Sequence, residues 1–348
     1  MKAAVLHGVG DIRYEEIELR PYGDDEVKIK VMAAGICGSD PPRALKKWKY
    51  ELPAILGHEF SGYVVEKGKN VTNVEVGDRV VAVPLQPCNE CEYCKKGQFS
   101  LCENYEMIGA TQFGGFAEYA NVKAANVLKI DGIDYEEAAM IEPLAVALHG
   151  TLNIHAQLGD TVAVLGAGTI GQLTIQWLKI SGVERIIAVD ISDKKIEEAI
   201  ALGADIGINA MKENPVEKIL ELTNGLGVDI SIECAGSKIT QEQCLLITRK
   251  KGKVAYQGIG HAGIELSESA FEGIFRRELN LQGFWNSYSA PFPGKEWFAS
   301  IEYLKQKKIK LQELISHRFS LEDTAKAFEL IGSRKEEYNK IMIVQEQE

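Results

Sequence analysis

Short β-branched runs separated by glycine-containing turns fill residues 1–85, at Val27 to Val31, Gly62 to Val65 and Arg79 to Val83, with Gly77-Asp78 as a turn signal. Many short strands at close spacing predict a mainly β, barrel-like first domain, with Val71 and Val74 as ordinary core positions. Gly114 to Tyr119 predicts a tight turn leading into another strand, and Glu142 to Gly150 a helix with Pro143 in its first turn and Gly150 after its end.

The period changes at residue 161. Thr161 to Leu165 is a continuous apolar run, as in a strand covered on both faces. It leads into a helical pattern with Ile170, Leu173, Trp177 and Leu178 on one face and Gly182 as the stop. Arg185 to Asp190 predicts the next strand. Helices are expected over Asp193 to Leu202, Pro215 to Thr223 and Ile239 to Thr248, and strands over Ile206 to Asn209, Val228 to Glu233, Lys253 to Gln257 and Leu279 to Phe284. Six strands alternating with helices predict a doubly wound parallel sheet. The pattern loses regularity after Trp285, then resumes with a helix over Glu296 to Gln306 and a strand-like tail, Lys340 to Val344, that returns to the first domain. The fold class is therefore α/β, with a catalytic β-rich domain over 1–150 and 286–348 and a dinucleotide domain over 151–285.

Composition narrows the partners. At 348 residues the chain exceeds what one hydrophobic core usually supports, which agrees with two domains. A net charge of −11 argues against nucleic acid or an anionic membrane, both of which reward clustered Lys and Arg. No signal-peptide pattern follows Met1, and no run of about 18 apolar residues predicts a membrane span. Five of the seven cysteines fall between positions 37 and 102, a clustering that predicts metal ligation in a reducing, cytoplasmic compartment.

Two clusters carry candidate metal chemistry. Cys88, Cys91, Cys94 and Cys102 have the spacing C-x2-C-x2-C-x7-C, within a lobe at 86–104. Four thiolates can close a tetrahedral shell around zinc, leaving no position for substrate, so this site is structural. An iron–sulfur cluster usually pairs its cysteine run with a following proline, which Cys102 lacks, and a nucleic-acid zinc knuckle fits poorly with Glu90, Glu92 and Glu103. The second cluster centres on Gly57-His58-Glu59-Phe60-Ser61-Gly62. Cys37 lies 21 residues earlier and Glu142 far downstream. Cysteine, histidine and one or two glutamates make a ligand set suited to a catalytic zinc with an open position. Ordinary alternatives stand beside this reading: a hydrogen-bonded His58–Glu59 pair, and Glu142 as a helix cap. His149, seven residues after Glu142, is expected to be a packed or capping histidine.

Between the first apolar strand and its helix lies Gly166-Ala167-Gly168-Thr169-Ile170-Gly171, and Asp190 follows Gly171 by 19 residues at the end of the next strand. In that setting the glycines let backbone N–H groups approach a pyrophosphate. Asp190 would accept hydrogen bonds from ribose hydroxyls and repel a 2′-phosphate, favouring NAD over NADP; its alternative role is a helix cap before Ser192. Strand ends at Cys234-Ala235-Gly236 and Gly258-Ile259-Gly260 are natural neighbours of a cofactor, while Cys234 and Cys244 read as small buried residues.

On these motifs, together with Gly68, Gly77-Asp78-Arg79-Val80, Cys37 to Arg43, Ile141-Glu142-Pro143, Phe284 to Ser289 and Pro293-Gly294, the sequence resembles the zinc-dependent medium-chain alcohol and polyol dehydrogenases over its whole length. The resemblance implies a GroES-like catalytic domain built from both chain ends around a Rossmann domain. It implies a structural zinc on the four clustered cysteines and a catalytic zinc on Cys37, His58 and Glu142, with Glu59 nearby or exchanging as a ligand. It further implies NAD at Gly166, Gly168, Thr169, Ile170, Gly171, Asp190, Lys195, Gly258, Ile259 and Asn286. Catalytic roles are expected for Ser39, Glu59 and Glu142, and substrate contacts for Ser39, Arg43, Glu142 and Asn286. The expected reaction is hydride transfer from a secondary hydroxyl of a phosphorylated sugar alcohol, with an unphosphorylated polyol or threonine as alternative substrates and a non-catalytic binding protein as the remote one. Many relatives carry a proton-relaying histidine where this chain has Pro42, so a relay ending at Ser39 must deliver its proton to water or to Glu59 or Glu142. Arg43, with Lys46, Lys47 and Lys49 beside it, is either a receptor for a substrate phosphate or part of a solvated basic loop. An exposed edge strand near Leu279 to Phe284 predicts a homodimer or a homotetramer.

Overall fold

The computed structural model describes residues 1–260, 262–333 and 335–346. The chain forms two compact units, Met1–Glu142 with Tyr288–Glu348, and Pro143–Ser287. The divisions at 142/143 and 287/288 fall eight and two residues from the expected 150/151 and 285/286. The physical reason is that the helix Ile141–Asn153 belongs almost entirely to the second unit, where the Trp177 indole N–H donates to Leu144 O at 3.0 Å. Gly150 lies inside this helix rather than after it. It is there for packing: a Cβ at that position would stand 1.5 Å from Gln257 Nε2.

The first unit is built on a sheet in which Glu26–Gly35 is the central strand, flanked by Glu59–Lys67 and by Lys340–Val344. The C-terminal strand pairs antiparallel with it through Met342 opposite Gly35, so the tail returns to the first domain as its pattern predicts. Val27, Ile29, Val31, Phe60, Val64, Ile341 and Ile343 supply one continuous core, and Val71 and Val74 join it. Helices at Asp40–Leu45 and Thr324–Ser333 and a strand at Ile315–Ser320 also belong to this unit and carry no strong periodic signal in the sequence.

The second unit has a six-stranded, all-parallel sheet. In spatial order its strands are Ile206–Asn209, Arg185–Asp190, Thr161–Leu165, Val228–Glu233, Thr248–Tyr256 and Asn280–Gly283. The first strand in sequence sits third in space, so the direction of winding switches beside it, where doubly wound sheets bind ligands. Apolar cores cover both faces, which is why these strands read as unbroken apolar runs. The helix Thr169–Ser181 ends at Gly182, which caps it at φ +77. The helix Glu268–Arg276 lies where the sequence pattern shows no element. Among the described residues, no helix is long and apolar enough to cross a membrane.

Candidate active site and metal centres

His58 enters the site from a turn that only glycine tolerates well. Gly57 has φ +94, and a Cβ there would meet the Phe116 ring at 2.8 Å. Glu59 begins the next strand opposite Gly35, whose missing side chain leaves room for the carboxylate; a Cβ on Gly35 would lie 2.3 Å from Glu59 Oε2. Cys37 follows the central strand, and Ser39 precedes the short helix Asp40–Leu45.

Chain folding brings ligand atoms of Cys37, His58 and Glu59 within 4.8 Å of one another. Glu142, at the start of its helix, stands outside that group but is buried beside it, its charge coupled to His58, Glu59, Lys340 and Asp40. Two residues that the sequence reading missed organise the set. Asp40 is fully buried; one carboxylate oxygen accepts the Cys37 backbone N–H at 3.0 Å, and the other lies 3.5 Å from His58 Nδ1. With Nδ1 turned to Asp40, Nε2 is the ring nitrogen left for a metal. Lys340 is also buried and donates to Glu59 Oε2 at 2.6 Å and to Ile36 O at 3.1 Å. A lysine opening an otherwise apolar strand was the available signal for a buried acidic partner; Asp40 had none beyond lying next to Ser39.

The electrostatics call for a cation. Cys37, Asp40, Glu59 and Glu142 set four acidic groups against the single ammonium of Lys340 and the imidazole of His58. Burial, then repulsion from Glu59 and Asp40, raises the Glu142 carboxyl to about 7 despite attraction from His58 and Lys340. For His58 burial acts in the opposite sense, but Asp40 and Cys37 outweigh it and hold its pKa well above the ordinary value. Asp40 Oδ1 and His58 Nδ1 find no hydrogen-bond partner among the described residues. A divalent ion is the economical answer to so much buried negative charge, and a thiolate, an imidazole and a carboxylate suit zinc. Ser39 donates its hydroxyl proton to Cys37 Sγ at 3.3 Å, so it stands at the same centre.

The other four cysteines also converge. Their Sγ atoms all lie within 4.8 Å, and the Cys88–Cys94 pair is 3.9 Å apart. A tetrahedral zinc with bonds of about 2.3 Å requires sulfur separations of roughly 3.8 Å, so the cage fits the ion. Backbone N–H groups of Cys91 and Cys94 point at the preceding sulfurs, and those of Cys94 and Glu103 lower the Cys91 thiol to about 6, near thiolate form at neutral pH.

In the second unit Gly166 has φ +101, and Gly171 packs so closely that a Cβ would lie 1.9 Å from Gly166 O. Gly168 N-caps the helix that Thr169 and Ile170 begin, and a helix N-terminus is the kind of position that receives phosphate groups. Asp190 ends its strand with both carboxylate oxygens engaged: Oδ2 accepts the Ala167 N–H at 2.7 Å, and Oδ1 accepts those of Ile191 and Ser192. It therefore shapes the glycine turn. The capping role falls to Ser192, whose hydroxyl accepts the Lys195 backbone N–H. Gly258 lies against the Gly236 backbone, Ile259 is half-exposed, and Asn286 has φ +56 with a buried Nδ2 that finds no partner among the described residues. Cys244 is buried as expected and Cys234 only partly so. His149 is in contact with the Phe284 ring and with Asn153, a packing role. Arg43 is half-buried, and its Nη1 is enclosed with no hydrogen-bond partner among the described residues.

Comparison with known proteins gives the same reading. Residues 23–132 match the alcohol dehydrogenase GroES-like domain, and residues 169–304 match the zinc-binding dehydrogenase model. Galactitol 1-phosphate 5-dehydrogenase of Escherichia coli strain K12 is 36% identical over 94% of this chain and 95% of its own length. Sorbitol dehydrogenase of Bacillus subtilis strain 168 is 33% identical over 99% of this chain and 97% of its own. The crystal structure of the E. coli galactitol-1-phosphate dehydrogenase superimposes with a TM-score of 0.93, covering 99% of this chain and 100% of that one. With its parallel sheet, its four-cysteine cage and its GroES-like unit, the chain belongs to the zinc-dependent medium-chain alcohol and polyol dehydrogenases.

Proposed function

We propose that this enzyme oxidises a secondary hydroxyl of a phosphorylated sugar alcohol with NAD, the reaction that takes galactitol 1-phosphate to tagatose 6-phosphate. The observation that carries the reading is Arg43. Its enclosed Nη1 has no partner among the described residues, and it lies one helical turn after Ser39. A buried charged donor left unpaired costs about 1–3 kcal/mol, so an anionic ligand is the natural partner. At a helix rise of about 1.5 Å per residue, Arg43 sits roughly 6 Å along the axis from Ser39. That spacing suits a phosphate several carbons from the oxidised one. Exposed Lys46, Lys47 and Lys49 lie in the segment that follows and would draw a dianion toward it.

In this reading Cys37, His58 and Glu142 hold zinc, with Glu59 as the neighbouring carboxylate that Lys340 restrains. When bound, zinc supplies Lewis-acid polarisation of the substrate hydroxyl and the nicotinamide accepts the hydride. Ser39 takes the hydroxyl proton. Because Pro42 offers no imidazole, Ser39 passes it to water or to a carboxylate of the site. Asp40, 3.5 Å from His58 Nδ1, places negative charge beside that nitrogen and favours its carrying the ring proton. Asp190 repels a 2′-phosphate, which favours NAD over NADP. The alcohol loses a hydride and a proton, and the products are ketone, NADH and H+.

Sorbitol dehydrogenase among the relatives favours a second reading, an unphosphorylated polyol. A substrate panel on metal-quantified protein separates the two. The proposal expects kcat/KM for galactitol 1-phosphate to exceed that for galactitol, sorbitol, xylitol and threonine. It also expects Arg43→Gln to raise the KM of the phosphorylated substrate by roughly 10-fold or more, the scale of a charged hydrogen bond. Equal rates across the panel, or an unchanged KM in the variant, would overturn it.

A further inference from the structure

The second unit buries a carboxylate at the edge of its parallel sheet. Glu233 is the last residue of the strand Val228–Glu233, and it stands opposite Leu165 of the strand Thr161–Leu165. The direction of winding reverses between these two strands, so Glu233 lies at the carboxyl edge where a doubly wound sheet opens its ligand crevice. Its side chain is nonetheless fully buried. Oε1 accepts three hydrogen bonds: the Ala235 and Gly236 backbone N–H groups at 2.9 Å each, and the Thr240 hydroxyl at 2.6 Å. The main-chain carbonyl of Glu233 accepts two more, from the Gln257 and Gly258 N–H groups, both at 2.9 Å.

The turns held in this way also press on one another. A Cβ on Gly258 would stand 2.4 Å from Glu233 Oε2 and 2.3 Å from Gly236 N, and one on Gly236, at φ +67, would meet Ile259 O at 2.4 Å. The first glycine turn joins them. A Cβ on Gly166 would lie 2.7 Å from Ala235 N, the nitrogen whose proton Glu233 Oε1 accepts, and the Cys234 N–H donates to Leu165 O at 2.8 Å. Side chains are excluded at all three glycines, so the backbones interlock. Two successive N–H groups aimed at one oxygen fix the conformation of Ala235-Gly236. The other oxygen, Oε2, is enclosed and finds no partner among the described residues. A carboxylate kept in such a place, where an apolar side chain would pack without desolvation, needs a reason beyond stability.

We propose that Glu233 is a positioning residue for the dinucleotide: its carboxylate sets the turns at 166–171, 234–237 and 258–260 in the arrangement that receives the cofactor. Its five hydrogen bonds are made within the protein, so these turns need not lose freedom when the ligand arrives. Without the carboxylate, two N–H groups and a hydroxyl face a core with no acceptor, and the turns must open toward water to satisfy them. This rests on the reading of the glycine turn as the cofactor site.

The test uses full-length protein with zinc counted, and reads nucleotide binding by fluorescence titration with NADH and NADPH in parallel. Glu233→Ala is expected to raise the Kd of the nucleotide that the parent binds by about 10-fold or more, equivalent to about 1.4 kcal/mol. Zinc content should stay unchanged, and the polyol KM at saturating nucleotide should stay within about 2-fold. Glu233→Gln keeps an acceptor oxygen for the same donors and should recover most of the loss. Thr240→Val removes one donor and no charge, and should raise the Kd by about 2- to 5-fold. Hydrogen exchange in the ligand-free Glu233→Ala protein should quicken at 234–237 and 258–260, with the strand Arg185–Asp190 protected as before. A Glu233→Ala protein that melts earlier yet binds nucleotide as tightly as the parent has lost stability alone, and that result overturns the proposal. So does a Glu233→Gln protein that binds no better than Glu233→Ala. If Glu233→Ala does not fold, Thr240→Val decides, and an unchanged Kd there overturns the proposal. A parent that binds neither nucleotide overturns the cofactor reading itself, and this proposal with it.

Discussion

Lys340 shows how much one side chain contributes to this site. It is the ammonium at the centre of a buried acidic group, and it takes one oxygen of Glu59 out of circulation. Replacing it with methionine leaves that carboxylate buried without its cation, a change that costs about 3–5 kcal/mol. Lys340→Met should therefore lower the urea midpoint markedly, and adding Glu59→Gln should restore part of the loss; equal stability of the single variant and the parent would refute the role. A surface pair makes the contrast. Arg20 donates two hydrogen bonds to Glu26, and this, with the Gly23 N–H, holds the Glu26 carboxyl below its ordinary value. A depressed folded-state pKa gives stability that is present above the ordinary carboxylate pKa near 4.3 and is lost as pH falls through the lower, folded value. Arg20→Gln should be less stable than the parent by about 1 kcal/mol or less at neutral pH, and the gap should close in acid denaturation series as Glu26 protonates.

At the scale of elements, local pattern and local structure agree wherever burial is two-sided or a turn residue is decisive. The strands Thr161–Leu165, Arg185–Asp190, Ile206–Asn209, Val228–Glu233 and Lys340–Val344 coincide with their apolar runs, and Gly182 stops its helix. The helix Glu268–Arg276 gives no apolar run in the sequence because its two phenylalanines, Phe271 and Phe275, are exposed and its buried face is made of the small Ala270 and Gly273 with Ile274. The glycine turn yields a direct test. Gly171→Ala places a methyl against Gly166 O, and NAD binding measured by fluorescence titration should weaken by roughly 10-fold, the scale of one charged contact, while the zinc content stays unchanged. The four-cysteine lobe yields another. Cys102→Ser should release one zinc per chain and speed hydrogen exchange across 86–104, with the parallel sheet protected as before. Retention of both ions would contradict a four-sulfur cage.

For the whole molecule, the parallel sheet ends in the strand Asn280–Gly283, exposed along its full length. An unprotected edge of this kind is an invitation to pair with another chain, and we propose that two copies join there. The Phe284 N–H donates inward to Tyr256 O, so Leu281, of opposite parity, presents its N–H to the open edge. Leu281→Pro removes that donor, and sedimentation equilibrium should then report half the parent mass, while a parent that is itself monomeric would end the idea. The sequence alone determined the α/β class, the order of the parallel strands' elements, the four-cysteine cage and the glycine fingerprint, because each depends on residues close along the chain or on a fixed period. Only the tertiary structure decided that Glu59 rather than Glu142 stands in the tight group with Cys37 and His58, that Asp40 lies beside the imidazole and Lys340 holds the carboxylate, and that Ser100 grips Tyr288. Those pairings join residues up to 281 positions apart. No local pattern encodes them, since they arise when the C-terminal strand pairs beside Glu26–Gly35 and delivers a single lysine into a pocket of acids.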